Sequence, residues 1–419
     1  MKKIGIAMFI YSASALASGN VITLDEMLNT LDKTSYQNEV YDVQKQIDKN
    51  KEKTYKKDNY NGVSASVTNK YSDEEQAFVT TGLVKYGDFY IDAQRNNKDK
   101  DKKEEATFGF EKSVKDLIFS KNKNNLEKLN ITKEINRLQY KSDLETQKLS
   151  LIALYRDYRS DELELKIREN GLKNLNKELE ILSKSYNLGA TQQIELRTLQ
   201  YNIKNQELEI ETLKNSLVKM KNRFYYDFGI KIGERVVEPI HIEGIELEKY
   251  ISQVGVRSLS LLDLEKQVTE KNLKYLNYSD KMPELSLGVE HNTRYNENRL
   301  TAKVSKDIFY FNSELENEKE NLKSQEIVFS QKENEVKAER LKIWNTLYSY
   351  EKDYEVNANK AELEKAKYEI KRLEYRVGKS GYIDVMDSFN DYLEYEIARD
   401  KAKNALNSYV YEIMVRGEK

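Results

Sequence analysis

The side chains that most often carry chemistry are scarce in this chain. His241 and His291 are its only histidines, and none of its 419 residues is cysteine. Cysteine nucleophiles, thiolate metal sites and disulfide frameworks are therefore excluded. Neither histidine has a partner at metal-ligand or triad spacing. His241 falls in a connector and His291 in a strand turn, and both read as surface residues. The sequence holds no G-x-S-x-G elbow, phosphate-binding loop, H-E-x-x-H pair or dinucleotide fingerprint. Lys and Arg number 69 against 71 Asp and Glu, a net charge of -2, so no basic field points to nucleic acid. The residues left for comment are carboxylates. Asp384 and Asp387, taken alone, are early-turn acids of a helix, where the macrodipole favours them. No catalytic residue, cofactor or metal is expected.

The elements around them are long helices. A third of the chain is charged and 39% is hydrophobic, with only two prolines and 16 glycines. That composition suits helices with wet outer faces better than one large core. Lys2 and Lys3 precede an apolar run from Ile4 to Leu16, and Ala15-Leu16-Ala17 follows the pattern of a cleavage site. Residues 1–17 read as a secretory leader rather than an anchor, because the run is too short to cross a bilayer. No cysteine follows it, so a lipid-anchored amino terminus is excluded. Beyond residue 17 no stretch reaches the roughly 18 apolar residues of a spanning helix. Any membrane crossing must use strands in a closed barrel.

The chain repeats itself. Ser185-Tyr-Asn-Leu-Gly-Ala-Thr-Gln-Gln-Ile-Glu-Leu aligns with Glu374-Tyr-Arg-Val-Gly-Lys-Ser-Gly-Tyr-Ile-Asp-Val. Gly189 meets Gly378, Tyr186 meets Tyr375, Ile194 meets Ile383 and Glu195 meets Asp384. Helical spacing surrounds both segments. Leu172, Leu175, Leu179, Leu182 and Tyr186 run 3-4-3-4, as do Ile210, Leu213, Leu217, Met220 and Phe224, and Leu363, Ala366, Ile370, Leu373 and Val377. These are coiled-coil seams. Pro239 and Pro283 both lie outside the long helices expected over 114–188 and 310–377, each able to reach roughly 100 Å. Gly189 and Gly378 read as left-handed helix ends, with Thr191 and Ser380 as caps of returning helices over 192–229 and 382–416. Short helices are expected at 23–56 and 246–280. The domains are then a leader at 1–17, a first repeat at 18–229 with its tip at 189, a connector at 230–245, and a second repeat at 246–417 with its tip at 378.

Strands precede each long helix, at about 60–116 and 283–309. Leu285, Leu287 and Val289 alternate with Ser286, Gly288 and Glu290, and Leu300, Ala302 and Val304 repeat the pattern. Val63, Ala65 and Val67 do so in the first repeat, as do Phe108 and Phe110. Residues 77–94 are also strand-like around a Tyr86-Gly87 turn, as an extra hairpin or an elaborated loop. The charged run from Asp99 reads as a solvated loop. An apolar face opposite a polar face fits a half-buried soluble sheet or a lipid-facing barrel wall. Four to six strands cannot close a channel alone, so a barrel requires several chains.

These features together resemble the TolC-like outer-membrane efflux proteins. The resemblance rests on the leader, the two repeats, the strand pairs entering long helices, and the paired tips, above all Tyr375-Arg-Val-Gly-Lys-Ser-Gly-Tyr-Ile-Asp-Val-Met-Asp. It implies a mainly α fold of two repeats, with helical hairpins and strands contributing to a shared 12-stranded β-barrel of a homotrimer. It implies an outer-membrane exit duct with a helical tunnel in the periplasm, working with a periplasmic adaptor (membrane fusion protein) and an inner-membrane transporter, in efflux or type I secretion. Carried over by position, Asp384 and Asp387 match acids that ring the periplasmic aperture, and Glu195 and Tyr375 match members of a network that closes the tips. Ser380 stands where that network has an arginine, which puts a family-type closed-state salt bridge in doubt. Leu188, Gly189 and Ala190, with Val377, Gly378 and Lys379, match the adaptor-docking turns. The alternative is a periplasmic adaptor or coiled-coil scaffold without a pore, which usually carries one helical hairpin rather than two. The cargo is not legible in the sequence.

Overall fold

The computed structural model describes residues 21–73, 77–96, 104–189, 192–233, 235–237, 245–307 and 310–418. The expected leader, the Asp99 run, Ala190, Thr191, Pro239 and His241 lie outside them. The order is β1 (Val21–Ile22), α1 (Leu24–Thr34), α2 (Tyr36–Lys57), β2 (Val63–Ser72), β3 (Ala77–Tyr86), β4 (Phe89–Asn96), β5 (Glu104–Ser113), α3 (Val114–Phe119), α4 (Lys121–Asn187) and α5 (Gln193–Phe228). The second half gives β6 (Val236–Val237), α6 (Leu247–Gln253), α7 (Val256–Lys281), β7 (Glu284–Asn292), β8 (Glu297–Ser305), α8 (Ser313–Arg376) and α9 (Tyr382–Arg416).

Three expected helices are each interrupted once, for local reasons. Ser35 separates α1 from α2: its amide reaches Leu31 O at 2.9 Å, and its hydroxyl accepts the Gln37 amide at 3.1 Å. Ser120 separates α3 from α4, its hydroxyl accepting the Lys123 amide at 3.1 Å. Gly255 separates α6 from α7 with φ +79°, and a Cβ there would sit 2.5 Å from the Val336 side chain. Hydroxyls that satisfy orphan amides, and a left-handed glycine, are ordinary ways to end one helix and begin another.

The chain divides into two compact units. One comprises residues 1–38, 141–257 and 334–419. Its helices pack through three apolar clusters. The first joins Met27 and Leu31 of α1 with Leu151, Ile152 and Tyr155 of α4 and Phe224 of α5. The second joins Leu175 and Leu182 of α4, Leu199 and Ile203 of α5, and Tyr382, Val385, Met386, Phe389 and Leu393 of α9. The third places Ile251 and Val254 against Ile343, Leu347, Val410 and Ile413. Each such side chain, fully buried, contributes about 1.5–3 kcal/mol from removal of apolar surface. Thr23 and Glu26 form a capping box on α1, at 3.1 and 3.3 Å, which satisfies two end amides.

The seams fare differently. Ile210, Leu217, Met220 and Phe224 are buried, as are Leu175 and Leu182. On α8, by contrast, Leu363, Ile370 and Leu373 are exposed, as is Val377 just past its end. Its inward face is carried by buried Ala361 and by Tyr368 and Tyr375, which pack on the second cluster. The 3-4 spacing identified an apolar stripe correctly but not the side that faces its own chain.

The other unit comprises residues 39–140 and 258–333. Its center is one six-stranded antiparallel sheet in the order β2-β3-β4-β5-β7-β8. Residues 77–96 thus form a hairpin inside the sheet. Twelve strands from three chains corresponds to four per chain, and this sheet carries six. Helical segments flank it in sequence: α2 precedes β2 through a 3-10 turn at Asp58–Tyr60, α3 follows β5, α7 precedes β7, and α8 follows β8 after residues 306–312.

Candidate functional site

The sheet register sorts every side chain to one of two faces. Residues opposite each other in a ladder share a face. Val63 lies opposite Tyr86, Tyr86 opposite Phe89, Phe89 opposite Phe110, Phe110 opposite Val289, and Val289 opposite Leu300. A second row runs Ala65, Val84, Ile91, Phe108 and His291. The first of these rows is apolar on all six strands; the second is apolar on four and ends at His291 and Asn298, and Lys112 shares the face, opposite Leu287. The face is also uncovered: Val67 is 77% exposed, Phe89 53%, Leu300 83% and Val304 69%. The opposite face is polar. One row on it reads Ser66, Leu83, Asp92, Thr107, Asn292 and Glu297. Monomeric soluble proteins rarely leave contiguous apolar patches of this extent open to water.

Polar contacts on the second face tie the additional hairpin to its neighbors. Tyr90 of β4 lies over Gly109 of β5, where a Cβ would stand 2.2 Å from the ring. Its hydroxyl reaches Glu290 Oε1 of β7 at 2.6 Å. The glycine is needed because the ring takes the space of a side chain. At the helix end of the hairpin, Asp88 accepts the Tyr60 hydroxyl at 2.8 Å and pairs with Lys112. On the apolar face Phe89 and Phe110 pack at 4.9 Å between ring centroids, and Tyr60 meets Tyr86 edge-on at 5.5 Å. Toward the other end Tyr71 meets Phe78 at 5.3 Å. Aromatic side chains therefore stand near both ends of the apolar band, as interfacial girdles do. His291 shares a 2.9 Å hydrogen bond with Asn298 across the β7–β8 hairpin. No cluster of metal-binding side chains occurs among the described residues.

Strand length fits a bilayer. Ten residues at about 3.3 Å rise extend about 33 Å, and a tilt of about 40° reduces that to about 25 Å of height. Among the described residues, no helix is long and apolar enough to span a membrane.

The helix-turn tips belong to the first unit. The two turns share their glycine conformation and a hydrogen bond. Gly189 and Gly378 both have φ +73°. The Gly189 amide meets Tyr186 O at 2.9 Å, and the Gly378 amide meets Tyr375 O at 3.0 Å. Nothing lies within 4 Å of a Cβ at either glycine, so the left-handed backbone alone demands glycine there. Leu188 and Val377 beside them are 84% and 68% exposed, and Lys379 is exposed too.

Each returning helix has an acid at its third position, Glu195 on α5 and Asp384 on α9. The expected cap Ser380 precedes the actual N-cap, Gly381. Ser380 still acts on the helix start: its hydroxyl donates to Asp384 Oδ2 at 2.9 Å, and the Gly381 amide reaches the same oxygen at 3.2 Å. These two donors, the hydroxyl above all, hold the Asp384 carboxyl below its ordinary range. Asp387 follows one turn later, and both carboxylates are exposed, opposite the buried Val385, Met386 and Phe389.

Tyr375 packs edge-on against Tyr382 at 5.3 Å. Tyr382 is buried and donates its hydroxyl to Glu178 Oε2 at 3.0 Å, while Arg372 lies 3.9 Å from Glu178. Burial first, and then the Glu178 charge, push the Tyr382 phenol well above its ordinary value. Glu178 and Arg372 were missed in the sequence because both sit on seam flanks, where Lys, Glu and Arg are expected anyway. Tyr382 had a signal, since it directly precedes the Ile-Asp-Val segment. Higher on the bundle, burial raises the Glu164 carboxyl, but Lys401 at 2.5 Å and Arg168 at 2.7 Å outweigh it and hold the group ionised.

No protein-family model matches the sequence, and no curated protein is similar to it at the sequence level. Solved structures do share its fold. The outer membrane protein VceC from Vibrio cholerae superposes with TM-score 0.68 at 11% identity, over 94% of this chain and 95% of that one. The Campylobacter jejuni CmeC outer membrane channel gives 0.64 at 11%, over 94% and 85%. The Neisseria gonorrhoeae MtrE outer membrane channel in its open state gives 0.66 at 10%, over 94% and 88%. An apolar strand face, two matched helical hairpins and these superpositions along nearly the full chain give one conclusion: the chain has the TolC-like fold of outer-membrane efflux channels.

Proposed function

We propose that three copies of this chain form an outer-membrane exit duct, a passive channel that takes substrates from a periplasmic adaptor and an inner-membrane transporter. The observation that carries this reading is the uncovered apolar sheet face backed by a polar one. Turned outward, the apolar face meets lipid, and the polar face then lines water. The sheet has two unpaired edges, β2 and β8, and hydrocarbon tolerates no open edge. Other copies supply the missing partners. The heptad-spaced stripe of Leu363 and Ile370 on α8 and Val377 just past its end, exposed in a single chain, suits a helix of a neighboring copy.

The leader at 1–17 exports the chain, and the repeats at 18–229 and 246–417, joined by 230–245, each supply one helical hairpin. Asp384 and Asp387 from three copies set six carboxylates around the aperture, a ring that favors cations. Glu195 and Tyr375 belong to the tip network that opens when the helices untwist. The turns Leu188-Gly189-Ala190 and Val377-Gly378-Lys379 receive the adaptor. No nucleotide-binding motif is present in the sequence, so energy comes from the transporter. The same duct serves efflux or type I secretion.

Planar-bilayer recordings of the mature protein and of Asp384→Ala/Asp387→Ala test this. Cation-selective channels that lose selectivity in the double variant support it. Recovery of the mature chain as a detergent-free soluble monomer defeats the channel reading. Unchanged conductance and selectivity in the variant remove the aperture assignment.

A further inference from the structure

The sheet has six strands per chain, and the question is what wall three such sheets make. We infer that the shared barrel has eighteen strands, with the β3–β4 hairpin built into the wall, and a correspondingly wide lumen. This rests on the reading of the chain as one of three copies around a common barrel.

Three observations carry it. First, the hairpin is laddered on both sides. β3 pairs with β2 from Ser72↔Ala77 to Val63↔Tyr86, and β4 pairs with β5 from Arg95↔Glu104 to Phe89↔Phe110. Tyr90 then reaches past β5 to Glu290 of β7. An accessory loop folded away from the wall has no use for such a contact. Second, the hairpin obeys the two-faced pattern of its neighbors. Phe78, Val84, Tyr86, Phe89 and Ile91 stand exposed on the apolar face, while Lys85, Tyr90 and Asp92 take the polar one. Third, every neighboring pair in the sheet is antiparallel and the count is even. β2 and β8 therefore run in opposite directions, so β8 of one copy meets β2 of the next in the same antiparallel ladder.

The strand count sets the size of the ring. Strands lie about 4.8 Å apart, and a tilt of about 40° makes each occupy about 6 Å of circumference. Eighteen strands then give a ring of about 110 Å, and twelve give about 75 Å. An eighteen-stranded ring has a backbone diameter of about 35 Å and, after side chains, a lumen of about 25 Å, against about 14 Å for twelve strands.

Paired cysteines in this cysteine-free chain test the wall in the assembled protein in membranes. Gln94→Cys/Glu105→Cys places thiols at directly opposed positions of β4 and β5 and is expected to form an intrachain disulfide. Ser66→Cys/Thr107→Cys lies in one row but three strands apart, about 14 Å, beyond disulfide reach, and is expected not to close. Ser66→Cys/Thr301→Cys with a short thiol crosslinker is expected to give a covalent ladder ending at three chains. A disulfide at 66/107 makes β2 and β5 neighbors and overturns the eighteen-stranded wall alone. A ladder that never forms, or ends at two chains, overturns the shared barrel of the preceding section and this inference with it. As a readout on the unmodified protein, polyethylene glycol added on the sheet side only should enter up to a hydrodynamic radius of about 12 Å, as the lumen of such a barrel allows. Exclusion above about 7 Å overturns the proposal.

Discussion

Tyr382 donates its hydroxyl to Glu178 at 3.0 Å, joining residues 204 apart in sequence at the start of α9 and the flank of α4. Both repeats thus meet in one bond close to the turns. Tyr382→Phe keeps the ring against Tyr375 and removes only the donor. Glu178 then keeps Arg372, at 3.9 Å, as its charged neighbor. We expect a loss of about 1–2 kcal/mol in local stability, read as faster amide exchange in 178–199 and 375–390. A channel closed at its tips should also leak more in bilayers. Unchanged exchange would show that the hydroxyl is dispensable.

The two tip glycines are required by backbone geometry and not by space. Gly378→Ala places a Cβ in open surroundings but at φ +73°, and should cost about 1–2 kcal/mol. Gly378→Asn should cost less, since asparagine enters the left-handed region more readily. Thermal unfolding followed by helical circular dichroism separates the two. Equal melting temperatures for Ala and Asn would argue that the backbone readjusts.

Asp384 gives the tip a pH response with a definite sign. Its carboxyl is held below the ordinary aspartate value by the Ser380 hydroxyl and the Gly381 amide. The contribution to helix-start stability is fully present above the unfolded value and is lost as pH falls through the lower folded one. Amide exchange at 380–386 should therefore rise on acidification below about pH 4, where free aspartate begins to protonate. In Asp384→Asn that rise should vanish. A rise of equal size in the variant would assign it to another carboxylate.

Neighboring residues on one strand should respond oppositely to charge. Val67 lies on the apolar face of β2 and Thr68 on the polar one. Val67→Arg should cost about 2–4 kcal/mol if placed at mid-bilayer, while Thr68→Arg should be close to neutral. Denaturant unfolding of the reconstituted protein, with assembly checked by heat-modifiable migration in gels, decides this. Equal effects would mean that neither face meets lipid.

Much of the tip was legible in the sequence because a left-handed turn leaves a glycine with few substitutes. Gly189 and Gly378 aligned the repeats, and the alignment placed Glu195 opposite Asp384 at matching helix positions. The strand faces were legible for the same kind of reason, since period two assigns Leu285, Leu287 and Val289 to one side whatever covers them. Three things were not legible. Residues 77–94 alternate as a strand does, but alternation does not say whether a hairpin joins a sheet. On α8 the Leu363–Val377 stripe was read as a seam, yet the chain's own core uses Ala361, Tyr368 and Tyr375, because 3-4 spacing alone does not say which stripe of a helix its own chain covers. Glu178 and Arg372 were hidden among the many charges of the helix flanks.

The opposite directions of β2 and β8 have a consequence for the life of the assembly. In the proposed ring, the hydrogen-bonded lattice where copies join has the same pattern as inside each copy, so the joint offers no line of weakness. A copy leaving the ring would strand two rows of amides and carbonyls in oil, at several kcal/mol for each unpaired group. Separation is therefore not a working state. The proposed ring predicts that copies meet before or during insertion and stay together afterwards, so that turnover replaces the ring as a whole.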